Sequence, residues 1–115
     1  MHANENQELS AEQENELRNI KIKSKNLIRD IEAMRSGWET EQQGYQLDTN
    51  TSATLPPTKA QTAALFAISY ADTAREFLAL AAGSSPYETV LGFYDLGAEF
   101  FVAAKRSMDI ARELK

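Results

Sequence analysis

Apolar residues recur along this chain at intervals of three and four, in three long stretches separated by polar punctuation. The first stretch reads Leu17, Ile20, Leu27, Ile31, Met34 and Trp38, a heptad seam that Ser24 interrupts and Ile28 widens. The second is dominated by alanine, at Ala60, Ala63, Ala64, Ala67, Ala71, Ala74 and Ala81, with Ile68, Tyr70, Phe77 and Leu78 supplying bulk. The third carries two rows. Val90, Phe93, Phe100, Ala104 and Ala111 form one; Leu91, Tyr94, Ala98, Phe101 and Met108 form the other. Such spacing is the mark of amphipathic helices.

Start and stop signals agree with the periodicity. Ser10 with Gln13, Thr58 with Gln61, and Ser85 with Glu88 have the capping-box spacing, in which a hydroxyl takes a backbone N–H and an amide or carboxylate reaches back. Pro86 follows the third cap, at the first helical position, where its missing N–H costs nothing. Gly37 and Gly83 read as helix stops. The spacing therefore predicts helices over 11–36, 58–83 and 85–115, after a flexible N-terminus over 1–10. Asp48, Thr49, Asn50, Thr51 and Ser52, then Pro56 and Pro57, break the pattern and predict a long connection over 37–57, with extra helix available near Trp38 to Gln43. The second and third helices are so close in sequence that they form an antiparallel hairpin. One hairpin partner does not bury both rows of the third helix. The expectation is an all-α fold of three long helices, a hairpin plus a third helix, in a homo-oligomeric helical bundle.

Composition narrows the chemistry. The 115 residues suit a single domain. There is no cysteine, which removes thiolate metal sites and cysteine nucleophiles, and the single histidine, His2, lies near the chain start. The segment from Met1 to Gln13 is polar and acidic, so it does not read as a signal peptide, and no apolar run reaches the roughly 18 residues of a membrane span. A cytoplasmic protein is expected. The formal net charge of −5 opposes general nucleic-acid binding, which needs a basic face. Asp95 with Glu99 and Asp109 with Glu113 are paired carboxylates at helical spacing, but a di-metal bundle wants histidines beside them. No phosphate loop or nucleophile elbow occurs. The chain does not read as an enzyme, and no cofactor or metal is expected.

One charged constellation stands out. Arg18, Lys21, Lys25 and Arg29 share one side of the first helix, beside its apolar seam. They serve either as a solvated face balancing Glu14 and Glu32 or as a site for a small phosphorylated ligand. Trp38, Tyr45, Tyr70, Tyr87 and Tyr94 suit core packing, an interface or base stacking.

Two segments resemble a known family. Leu9-Ser10-Ala11-Glu12-Gln13, then Ile20-Lys21 and Leu27-Ile28, are similar to the first helix of the phage anti-CBASS cyclic-oligonucleotide sponges, whose helical hairpin also occurs in anti-Thoeris sponges. Ala67-Ile68, then Phe77-Leu78-Ala79-Leu80, are similar to its second helix. The resemblance implies a non-catalytic, oligomeric counter-defence protein that sequesters cyclic nucleotide immune messengers in pockets between protomers. It puts the family's ligand-contacting lysine on Lys21. This chain departs from the family at Asn6, where the family has tyrosine, and at Ala82, where it has arginine; it also adds the third helix. Tyr70 and Arg75 are the candidate replacement contacts. The expected ligand site is then Arg18, Lys21, Lys25, Tyr70 and Arg75. The alternative is a helical protein-interaction module, such as an inhibitor, immunity protein or chaperone, acting through the apolar face of the third helix.

Overall fold

The computed structural model describes residues 9–45, 56–83 and 86–115. They form three helices, α1 (Ala11–Gln43), α2 (Lys59–Ala82) and α3 (Tyr87–Leu114), and the described residues contain no strand. The long 46–55 part of the connection, Ser85 and the chain start, with His2 and Asn6, lie outside the described residues.

The caps behave as their chemistry requires. Ser10 Oγ accepts the Gln13 N–H at 3.0 Å while Gln13 Oε1 accepts the Ser10 N–H at 3.0 Å, a complete capping box. Thr58 Oγ1 accepts the Gln61 N–H at 2.9 Å and donates to the Tyr45 carbonyl at 3.0 Å, tying the start of α2 to the chain just beyond α1. Pro86 stands one place earlier than expected, as the extended residue before α3, and Val90 N–H donates to its carbonyl.

The expected stop at Gly37 is overturned. α1 runs on through it to Gln43, because the seam continues at seven-residue spacing from Ile31 to Trp38 to Tyr45, all three buried. That burial outweighs the roughly 1 kcal/mol that a mid-helix glycine costs. Gly83, by contrast, does end α2, in extended rather than left-handed backbone.

The core is a pair of heptad stripes facing each other across the α2–α3 hairpin. α2 buries Ala60, Ala64, Ala67, Ala71, Ala74, Leu78 and Ala81. α3 buries Val90, Gly97, Phe101, Ala104, Met108 and Ala111. The two rows read from the sequence of α3 are therefore regrouped: members of both make the core, while Phe93 and Phe100 stand on its flank. Small residues let the axes approach. A Cβ at Gly97 would meet Leu78 Cγ at 2.6 Å and the Ala74 carbonyl oxygen at 3.2 Å. Most interhelical contact is between α2 and α3, with α1 laid against α2 and less against α3.

α1 covers one side of the hairpin with Ile20, Ile31 and Trp38. Full burial of side chains such as Ile31, Leu78 and Met108 contributes about 1.5–3 kcal/mol each. Ser24, the break in the seam, is fully buried, and its hydroxyl has no hydrogen-bond partner among the described residues. Met34, counted in the seam, is instead 36% exposed.

Ion pairs fix how α1 lies. Arg35 donates to Asp72 through Nε and Nη2, and Arg75 Nε lies 2.9 Å from Glu32 Oε2, so α1 and α2 are antiparallel. On the other side Arg112 grips Glu41 with two bonds of 2.7 and 3.0 Å, and Tyr87 O–H donates to Glu16.

Candidate functional site

Three of the five sequence-assigned residues share one surface. Arg18 and Lys21 line a depression of about 300 Å³ with Glu14 and Leu17, and Lys25 follows one turn along α1. The heptad seam turns inward, so the positions beside it are left at the α1–α2 edge. The antiparallel register set by Arg35–Asp72 and Glu32–Arg75 carries Lys25 level with Ala82, at the C-terminal end of α2. α2 has no basic residue in its last turn, so none of its own cations offsets the negative helix end at that level.

Contacts with carboxylates divide the interhelical arginines from the stripe. Arg35, Arg75 and Arg112 each hold a carboxylate on another helix. Among the described residues Lys21 and Lys25 take no ion pair, and Arg18 has only the Asn15 side-chain oxygen at 3.2 Å. Arg29 likewise binds Asn26. The stripe is a cationic surface whose charge is not cancelled by contact.

The remaining two assigned residues lie elsewhere. Arg75 is committed to Glu32, farther along the α1–α2 edge. Tyr70 is on the opposite side of the hairpin, its ring against Phe66 at 6.4 Å and Phe100 at 6.2 Å. Within one chain, neither reaches the stripe. Of the other aromatics, Trp38 and Tyr45 are core, and Tyr94 packs against both buried clusters.

Two features escaped the sequence reading. One is a cleft of about 700 Å³ at the end of the bundle, lined by Glu41, Tyr45, Thr58, Lys59 and Lys115 among others. There the Arg112 guanidinium, helped by the Tyr45 hydroxyl, holds the Glu41 carboxyl at a pKa of about 2, although burial pushes the other way. Burial and the Glu41 carboxylate raise the Tyr45 phenol. The other is a run of rings, Phe66, Tyr70, Phe100, Phe77 and Phe93, each stacked or tilted against the next along the hairpin, with interplanar angles of 14–37°. The signal was present in the four- and seven-residue spacing of Phe66, Tyr70 and Phe77.

Among the described residues no three His, Asp or Glu side chains converge as a metal site, and no helix is long and apolar enough to cross a membrane. Comparison of the chain with protein-family models, with curated proteins and with solved structures gives no match.

Proposed function

We propose that this chain is a non-catalytic binding protein that sequesters a small phosphorylated ligand, of the cyclic nucleotide messenger class, on the Arg18, Lys21 and Lys25 stripe. In this reading it is a phage-type counter-defence protein working in the host cytoplasm as a homo-oligomer. The observation that carries it is electrostatic. In a chain of net charge −5, these cations lie together on one helix without an ion pair among the described residues, while Arg35, Arg75 and Arg112 each hold a carboxylate on another helix. Phosphate oxygens are the acceptors that such a stripe recruits. The adjoining Leu17 offers an apolar surface for a base or ribose. The resemblance of the α1 and α2 segments to the cyclic-oligonucleotide sponges names the ligand class.

The test is equilibrium binding of cyclic di- and trinucleotides and cyclic ADP-ribose isomers by calorimetry. Lys21→Glu abolishes binding and leaves the helical signal unchanged. Equal affinity in the variant removes Lys21 from the site. A second reading, a module that binds a different protein, is favoured by the bare aromatic face of the hairpin. It predicts no nucleotide binding by the intact chain.

A further inference from the structure

The side of the hairpin away from α1 is not built like a solvated surface. On α2 it presents Ala63, Phe66, Tyr70, Thr73 and Phe77; on α3 it presents Phe93, Leu96, Phe100, Ala103, Ser107, Ile110 and Leu114. None of these twelve positions is charged. Phe66, Leu96, Ile110 and Leu114 are each more than two-fifths exposed. At 1.5 Å per residue along α3 and two helix diameters across, the face measures about 30 × 20 Å, or roughly 600 Å². That is at the upper end of what monomers leave uncovered. Doubled across two copies it gives about 1,200 Å², the lower edge of specific interfaces.

We infer that a second copy of this chain covers this face, related by a two-fold axis that runs across the helices, so that α3 packs antiparallel on α3 and α2 on α2. Two observations select this occupant and this axis. The first is charge at the rim. Glu99 and Arg106 are seven residues apart, hence on one side of α3, both are exposed, and neither has an ion pair among the described residues. A two-fold axis crossing α3 midway between them brings Glu99 of each copy level with Arg106 of the other, making two symmetric pairs. An axis parallel to the helices would instead lay α3 over α2 and keep Glu99 at its own height, level with Ala71 by the Ser107–Ala63 register, so that it meets no Arg106.

The second observation is the extent of the face. Its uncharged positions run from Ala63 to Phe77 on α2 and from Phe93 to Leu114 on α3. The Ser107 hydroxyl, donating to the Ala63 carbonyl at 2.7 Å, sets the two helices in register, so the axis that crosses α3 between Val102 and Ala103 crosses α2 near Ala67 and Ile68, within the face on both helices. A self-complementary patch of this kind is what a two-fold dimer requires.

The inference rests on the proposed function only in that copies associate, and the two fail separately. Sedimentation equilibrium of the full chain from micromolar to millimolar concentration gives a dimer. Glu99→Arg, a surface change that leaves helicity intact, weakens the dimer at least tenfold, and adding Arg106→Glu restores it. Those results hold whether or not any nucleotide binds. A monomer at every concentration overturns the inference. A dimer that Glu99→Arg strengthens overturns the antiparallel axis. A dimer indifferent to Glu99→Arg and to Ala103→Glu is formed through another face, which overturns the inference while leaving Lys21-dependent binding untouched.

Discussion

Gly37 and Gly97 are both in helix interiors, and alanine at each has opposite consequences. At Gly37 a Cβ would meet nothing within 4 Å, so Gly37→Ala only removes the entropy that glycine loses on folding. That stabilises by about 0.5–1 kcal/mol. At Gly97 the same intrinsic gain applies, but the new methyl would stand 2.6 Å from Leu78 Cγ and 2.8 Å from Leu78 Cδ2. Leu78 is fully buried and has nowhere to swing, and the Ala74 carbonyl at 3.2 Å blocks sideways relief. The helices must part, at an overpacking cost of about 1–3 kcal/mol. The net is a loss of roughly 1–2 kcal/mol. Thermal unfolding followed by circular dichroism, at one fixed protein concentration, reads both. The expected shifts are about 3–5 °C upward for Gly37→Ala and a similar or larger drop for Gly97→Ala. If both alanines stabilise equally, α2 and α3 do not approach at Gly97 and the core pairing described above is wrong.

Ser24→Ala removes a buried hydroxyl that has no partner among the described residues and improves helix propensity, so urea unfolding is expected to gain about 1 kcal/mol. Glu41 has its folded carboxyl lowered from 4.5 to about 2, so its contribution is present above pH 4.5 and is lost as pH falls toward 2. The melting-temperature gap between the native chain and Glu41→Gln should therefore close over that interval; a gap that is constant from pH 6 to pH 2 would contradict the Arg112–Glu41 contact. Arg75→Ala, which removes an exposed ion pair outside the stripe, should cost less than about 1 kcal/mol and leave nucleotide affinity unchanged in calorimetry.

How far the sequence carried depended on the range of the forces involved. Ser10, Thr58 and Gly83 act within a turn of themselves, and the helix ends that they announce are where the structure has them. Gly37 misled because a mid-helix glycine weakens a helix without by itself ending it. The competing signal was longer in range: Trp38 and Tyr45 extend the seam by two further heptads, and their burial carries the helix over the glycine. Met34 has seam spacing but is 36% exposed, which periodicity does not report.

The same limit governs the site. Arg18, Lys21 and Lys25 are neighbours on one helix, so spacing alone found their common surface. Whether a cation is already neutralised depends on the partner helix. Nothing local distinguished Arg75, which meets Glu32 across α1–α2, from Lys25, which meets no carboxylate among the described residues. Tyr70 was assigned to the ligand on its aromatic character, yet the direction of α3 turns it into the ring ladder on the far side.

The most direct test of the binding account is a thermal-shift screen of the full chain against cyclic di- and trinucleotides and cyclic ADP-ribose isomers, with the compound recovered afterwards. A ligand at a hundredfold excess over Kd stabilises the folded state by about 2.7 kcal/mol. The account predicts a clear upward shift with one of these compounds, lost in Lys21→Glu, and recovery of that compound chemically unchanged. A cooperative melt that none of them shifts, or a compound returned cleaved, would contradict it.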